Sequence, residues 1–449
     1  MPPPIAASDD SMDKKFWDKE KETMPLKELK ALQLKRLKGI VGYAYKNNQF
    51  YKKRMKDAGV EPDTIRTLND VNKLPFLTKD DLRQYYPFGL VCVPMNEVVE
   101  IHASSGTTGK PVVGTYTKND LALWAELMAR ALYANGLRKN DVMQNAYGYG
   151  LFTGAHGFHY GAQLIGANVV PTGSGNTKRQ IQLMKDFGTT VLACTPSYSM
   201  YIAEEARNMG FNPLKDFKLR LGLFGAEAWS DELRGKIEET WGIKAMEHYG
   251  LTELIGPGVS VDCGARAGLH VNADHFLMEV IDPNTGEQIG EDEKGELVFT
   301  TLTKEAFPAI RFRTEDLATF TEEKCECGRT FPRHSRIMGR SDDMMKVKGV
   351  IVFPRQIEEA IMSVEGTSEN YLIVKRKSTL GYELLVRVEP TAAQFKAGKI
   401  DELKKKIEDE IFAILNLNVP VSVVEPGALP RSEGKAKRVV EEQFTSIVS

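Results

Sequence analysis

The sequence predicts an α/β protein: a large N-terminal domain of several α/β subdomains, one of them β-rich, followed by a small α+β C-terminal domain. Three observations carry this. Between Asp141 and Phe224 short apolar runs alternate with stretches of helical periodicity, which argues for a mostly parallel sheet with helices on its faces. From about residue 265 hairpin signals take over, and from about residue 343 a last stretch has β and helical patterns of its own. The 449 residues are enough for two or three domains, each with a full core.

Residues 1 to 13 are Pro-, Ser- and Asp-rich and are expected as a tail. Leu26, Leu29, Leu32, Leu37, Ile40, Val41 and Ala44 recur at helical spacing among lysines, so an amphipathic helix starts near Pro25. Thr78 and Asp81 have the spacing of a capping box. Asn119 or Asp120 is the expected cap of a helix burying Leu121, Trp124, Leu127, Met128, Ala131 and Leu132. Strands are expected at Asp141–Met143, Asn168–Pro171, Thr190–Cys194 and Leu219–Phe224, with helices at 158–166, 178–187 and 197–209. Phe276–Ile281, the turn Asp282–Gly286 and Gly295–Leu302 make a hairpin. Tyr371–Lys375, Leu384–Val388, Ile400–Leu415 and Val421–Val424 furnish the small domain.

A net charge of −2, with 42% hydrophobic and 27% charged residues, gives no electrostatic basis for binding nucleic acid or a membrane surface. No apolar stretch approaches the roughly 18 residues that span a bilayer, and the N-terminus has no signal core. A cytoplasmic protein acting on small molecules is expected, with a homodimer as the assembly to consider. Five cysteines in this length do not make a disulfide framework.

Chemistry is concentrated first in Ser104-Ser105-Gly106-Thr107-Thr108-Gly109-Lys110-Pro111, after the apolar run Val98–Ala103. Small residues, hydroxyls, glycines and one lysine suit a loop whose backbone N–H groups approach phosphate. A Walker loop needs a glycine five residues before the Gly-Lys pair and a Ser or Thr directly after it. Ser104 and Pro111 stand there instead, so any Mg²⁺ ligand must come from elsewhere in the chain. A polar surface turn is the alternative reading.

Five further segments follow: Gly225-Ala226-Glu227, Tyr249-Gly250-Leu251-Thr252-Glu253, Phe312-Arg313-Thr314-Glu315-Asp316, Gly339-Arg340-Ser341-Asp342, and Leu429 to Arg438 with Lys435 after Gly434. Each alone also reads as a turn, a cap or a solvated charge. Together and in this order they resemble the adenylate-forming superfamily of acyl-CoA ligases. Leu74 to Arg83, Tyr85-Tyr86-Pro87-Phe88-Gly89 and Tyr147 to Gly154 are similar to signatures of the phenylacetate-CoA ligase family within it. Two departures stand out: Glu315 occupies a place usually held by Gly, and Glu433 one often held by Ser.

The resemblance implies a two-step reaction with ATP, Mg²⁺ and CoA, in which an aryl acid becomes acyl-AMP with loss of pyrophosphate and then a CoA thioester. It implies that Ser104, the backbone of Ser105, Gly106, Thr107, Thr108 and Gly109, and Lys110 hold the β- and γ-phosphates. Glu253 with Thr252 would supply the Mg²⁺ ligands. Tyr249, flanked by His248 and Gly250, would stack on adenine against Gly225, Ala226 and Glu227, while Asp316 binds ribose and Arg340 assists. Lys435 would bridge the carboxylate and the α-phosphate, where positioning and charge neutralisation supply the catalysis. The small domain, residues 342–449, would turn on 1–341 about Asp342 and bring Lys346, Lys348 and Gly349 to the site for CoA. An adenylating enzyme with a carrier-protein thiol or cofactor hydroxyl as acceptor, or a non-catalytic nucleotide-binding relative, are the competing functions.

For the acid, Tyr147, Tyr149, Phe152 and Phe158 with Gly148, Gly150, Gly154 and Ala155 can form a flat apolar slot, or ordinary core. Outside this chemistry, Cys325 and Cys327 with Cys263 and His270 make up the donor set of a structural Zn²⁺ site, with His275 as the alternative fourth ligand and scattered thiols as the alternative reading. Cys92 and Cys194 read as buried thiols, and His102, His156, His159, His248 and His334 form no triad pattern.

Overall fold

The computed structural model describes residues 15–104, 110–347, 350–378 and 381–442. The expected tail, the phosphate-loop residues Ser105 to Gly109, and Lys348 and Gly349 lie outside the described residues.

The central sheet has nine strands, in spatial order Phe320–Thr321, Arg333–His334, Leu269–Val271, Gly256–Val261, Lys244–Leu251, Leu221–Gly225, Val191–Cys194, Val142–Asn145 and Asn168–Val170. From Lys244–Leu251 to Asn168–Val170 the pairings are parallel. On the other side they are antiparallel, so the expected mostly parallel sheet is parallel in one half only. The cause is a tight reversal after Leu251, too short for the crossover a parallel neighbour needs. Glycine is required there: at Gly256 φ is +98°, and a Cβ on Gly250 would lie 1.9 Å from the Gly256 carbonyl.

The first long helix, Leu26–Asn47, buries Leu29, Leu37, Ile40, Val41 and Ala44 as its periodicity predicts. The helix Lys118–Asn135 is capped by Thr117 rather than by Asn119 or Asp120. Thr117 has the extended backbone a cap needs, and Asp120 reciprocates by accepting the Thr117 N–H at 3.0 Å. The same buried carboxylate accepts the N–H groups of Glu305 (2.7 Å) and Ala306 (2.9 Å), fixing this helix to the β-rich subdomain. The next helix runs Thr153–Ile165, starting before the expected residue 158. Its glycines hide the period because they face Lys118–Asn135 at close range: a Cβ on Gly161 would fall 2.5 Å from the Met128 Cβ.

The β-rich subdomain is a four-stranded antiparallel sheet, Phe276–Ile281, Gly295–Thr301, Phe312–Ala318 and Gly339–Arg340. From Met345 onward a six-stranded sheet with helices Pro354–Ser363 and Ile400–Leu415 forms the small domain. It docks on the large one through Glu358, whose Oε1 accepts the Ser230 N–H at 2.8 Å, and through Arg431, which bridges Glu204 and Glu389 at 2.8 Å. No helix among the described residues is long and apolar enough to cross a membrane.

Candidate active site

The two segments that bracket the expected phosphate loop pair as a two-stranded hairpin, Glu100–Ala103 with Val113–Tyr116. Its mouth is closed by Ser104, whose N–H donates to the Val112 carbonyl while its Oγ accepts the Val112 N–H, both at 2.9 Å. Lys110 is exposed, with Nζ 5.8 Å from the Tyr86 ring centre. The hairpin is fixed to the Thr252-Glu253 turn: a Cβ on Gly114 would touch the Thr252 carbonyl at 3.0 Å, and the Tyr116 hydroxyl donates to the Ile255 carbonyl at 3.1 Å. Residues 139 positions apart in the chain therefore share one small volume.

Glu253 is buried and forms no ion pair among the described residues. Burial raises its pKa, against the lowering effect of Lys79 and Arg340. A buried, unpaired carboxylate beside a threonine hydroxyl is a hard-oxygen donor set suited to Mg²⁺. Lys304, which sequence reasoning did not single out, is fully buried nearby. Its Nζ has no hydrogen-bond partner among the described residues and lies 4.5 Å from the Tyr116 ring centre, and burial pushes its pKa down to about 8.

Asp316 is held from two sides, accepting the Tyr249 hydroxyl at 2.7 Å and Arg340 Nη1 at 2.9 Å. Tyr249 packs tilted and edge-on against Phe299 and His334. Arg340 also reaches Asp342 at 2.8 Å, so the expected ribose acid and the expected hinge residue share one guanidinium. Glu315 has φ +65°, a region where glycine is at ease and other residues are uncommon. Its carboxylate offsets that cost by pairing with Lys79, which also reaches Asp342 at 3.3 Å. The motif around Leu74 to Arg83 thus contributes Lys79 to the site, a role its capping box conceals.

The C-terminal lysine loop lies on the carboxyl side of the parallel strands, where α/β sheets place their ligands. The Gly434 carbonyl accepts the Thr195 hydroxyl at 2.9 Å, and the Ala436 N–H donates to Glu227 Oε2 at 3.1 Å. Glu227 Oε1 accepts the Ser197 N–H at 2.8 Å. Glu433, the second departure from the family pattern, accepts the Thr177 hydroxyl at 2.9 Å. Lys435 sits exposed between these anchors. Glu227, expected only as an adenine wall, is therefore also the clasp of the lysine loop.

Of the acyl-slot candidates, Tyr147 and Phe158 are buried and stack with ring centres 4.9 Å apart, and a Cβ on Gly154 would meet the Tyr147 ring at 3.6 Å. Ala155 backs them, its carbonyl accepting Asn145 Nδ2 at 2.8 Å. The Tyr149 hydroxyl is engaged by Asn145 (2.8 Å) and His159 (2.9 Å), while Phe152 is 51% exposed at the helix start. His248 turns its ring toward Phe158, centres 4.8 Å apart. Lys346 is exposed on Met345–Val347.

Cys263, His270, Cys325 and Cys327 converge, all buried, with ligand atoms within 4.8 Å of one another. His270 Nδ1 is 3.0 Å from the Phe331 carbonyl; donating there leaves Nε2, 3.3 Å from the Cys327 sulfur, with its lone pair free. His275 is not the fourth member: it pairs with Asp274 and Thr303. Cys92 and Cys194 are buried thiols, as expected.

Residues 24–302 match the model of the AMP-binding enzyme family, and residues 349–443 that of the AMP-binding enzyme C-terminal domain. A phenylacetate-coenzyme A ligase of Thermus thermophilus is 44% identical over 95% of this chain and 99% of its own length. That of Escherichia coli is 43% identical over 94% and 96%. A solved 2-hydroxyisobutyryl-CoA ligase in its postadenylation state superposes with TM-score 0.92 at 28% identity, over 96% of this chain and 93% of that one. The same ligase in its thioesterification state gives 0.72. With a buried acid turn fixed to the Glu100–Tyr116 hairpin, a clasped lysine loop at the carboxyl ends of the parallel strands, and relatives matched over about 95% of its length, the chain belongs to the phenylacetate-coenzyme A ligase family of AMP-binding enzymes, which are AMP-forming acid–CoA ligases.

Proposed function

We propose that this chain activates an aryl acid of the phenylacetate type with ATP, as acyl-AMP and pyrophosphate, and transfers the acyl group to CoA with release of AMP. The observation that carries it is the clasp of Glu227, Thr195 and Thr177 on residues 433 to 436, which holds the Lys435 loop at the carboxyl ends of the parallel strands. In the first step the acid's carboxylate oxygen attacks the α-phosphorus and pyrophosphate leaves. Lys435 neutralises the two approaching anions, and the hairpin with Lys110 holds the leaving group. Glu253 and Thr252 would hold Mg²⁺, which supplies charge neutralisation at the phosphates. Asp316, set by Tyr249 and Arg340, accepts the ribose hydroxyls. For the second step the boundary between Ser341 and Asp342 is the pivot, with the Arg340–Asp342 and Lys79–Asp342 contacts as the bonds to be broken, and Lys346 faces CoA. A cytoplasmic enzyme is part of this reading.

The test is pyrophosphate release with ATP and a panel of aryl and alkyl acids, followed by AMP release with and without CoA. Turnover of arylacetates that yields AMP only when CoA is present is the expected result. Acid-dependent pyrophosphate release with no CoA thioester would move the acceptor elsewhere.

Zn²⁺ fits the Cys263, His270, Cys325 and Cys327 cluster: three thiols and one imidazole whose second nitrogen is engaged by a backbone carbonyl are a closed structural donor set. Metal analysis of untagged protein is expected to find one zinc per chain, and Cys325→Ser with Cys327→Ser to lose it and melt at lower temperature. Substoichiometric zinc in the unmodified protein would leave the cluster as free thiols.

A further inference from the structure

His248 is 4% exposed, and among the described residues neither of its ring nitrogens has a hydrogen-bond partner. It stands apart in this from His102, His159, His270, His275 and His334, each of which engages a partner through at least one ring nitrogen. Burial drives its pKa down to about 3, so at neutral pH the imidazole is uncharged, with one N–H donor and one acceptor nitrogen. A buried polar ring left unpaired carries its full desolvation cost. Phenylalanine or leucine would fill the same volume without it.

The surroundings say what the ring faces. His248 lies in Lys244–Leu251, paired with Gly225 on one side and Val261 on the other. Strand alternation sends its neighbour Tyr249 to the opposite face, where that residue meets Asp316. The imidazole goes instead to the face of Phe158, which in turn stacks on Tyr147. It therefore belongs with the aromatic pair of the acyl slot and not with the ribose acid. Being neutral, it has no charge to offer the reacting carboxylate, for which Lys435 is the cation.

We propose that His248 is a specificity-determining residue that hydrogen-bonds a polar group on the ring of the acid, so that the preferred substrate is an aryl acid bearing a hydroxyl or a ring N–H. This rests on the aryl-acid ligase reading and refines it. A pocket built to hydrogen-bond a substrate group discriminates strongly against the analogue that lacks it, because its own polar atoms are then left unpaired.

The experiment compares kcat/KM for phenylacetate, the three monohydroxyphenylacetates and indole-3-acetate in the wild type, His248→Phe and His248→Asn, by pyrophosphate release. In the wild type the best hydroxylated or N–H acid is expected to exceed phenylacetate by at least about tenfold. In His248→Phe that ratio should fall to within about threefold of unity, while His248→Asn, which keeps a donor and an acceptor, retains part of it. A ratio between two acids is not moved by a merely weakened fold. Phenylacetate as the best acid, or an unchanged ranking in His248→Phe, would overturn the assignment of His248 and leave the ligase standing. Absence of pyrophosphate release with every acid in the wild type would overturn both.

Discussion

Lys435→Ala should lower adenylation by roughly 10³-fold, the scale for removing one preorganised charge contact in an acyl- or phosphoryl-transfer site, while the conversion of synthetic acyl-AMP and CoA to thioester stays within a few-fold of the wild type. The two half-reactions separate because the lysine has work only where carboxylate and α-phosphate approach each other. On the function proposed above, the small domain turns once the mixed anhydride exists and the lysine loop leaves. The structure makes the partition sharp: the anchors of the loop are the Gly434 carbonyl, the Ala436 N–H, the Glu433 carboxylate and the Lys435 carbonyl, which accepts the Ser432 hydroxyl at 2.9 Å, and none of them is the Lys435 side chain. Truncating it removes a charge and not a fold contact. Pyrophosphate release measured beside thioester formation decides it, and equal loss in both would remove Lys435 from the adenylation step.

The clasp explains what the sequence could and could not disclose. Alternation of apolar runs and helical stretches was enough to place the strands Val142–Asn145 through Leu221–Gly225 and their helices, because parallel strands buried on both faces read as continuous apolar runs. The turn back at Gly250 and Gly256 was not legible, since its cause is a backbone approach across six residues and not a side-chain pattern. The motifs point to the candidate site for a different reason: phosphate, metal and carboxylate each demand a particular charge. Residues whose part depends on a distant partner escaped. Lys79 looked like the start of a capped helix, Glu315 like an intruder in a glycine position, and Glu433 like a loss of serine. Each acquires its role from a contact with a segment far along the chain.

Glu253→Gln is the other large effect, and its signature has two opposite signs. Burial raises the Glu253 pKa, so the folded protein binds a proton there more readily than the unfolded chain. Such a group adds stability at low pH and loses it as pH rises through its folded value. As pH rises through that raised pKa the wild type comes to carry a buried carboxylate without an ion-pair partner among the described residues, which glutamine would replace with a neutral isostere. In the absence of nucleotide Glu253→Gln should therefore melt higher at pH above that raised pKa, by about 1–2 °C if the gain is near 1 kcal/mol, with the difference vanishing toward pH 4. Adenylation should fall by about 10²–10³-fold, and the Mg²⁺ dependence of ATP binding, read by calorimetry, should weaken. The wild type's kcat/KM for ATP should rise with pH along a limb above the ordinary carboxylate range, because the metal needs the anion, and that limb should be missing from the variant. A variant that melts lower at neutral pH and keeps the limb would mean that Glu253 is a structural acid, leaving another group to hold the metal.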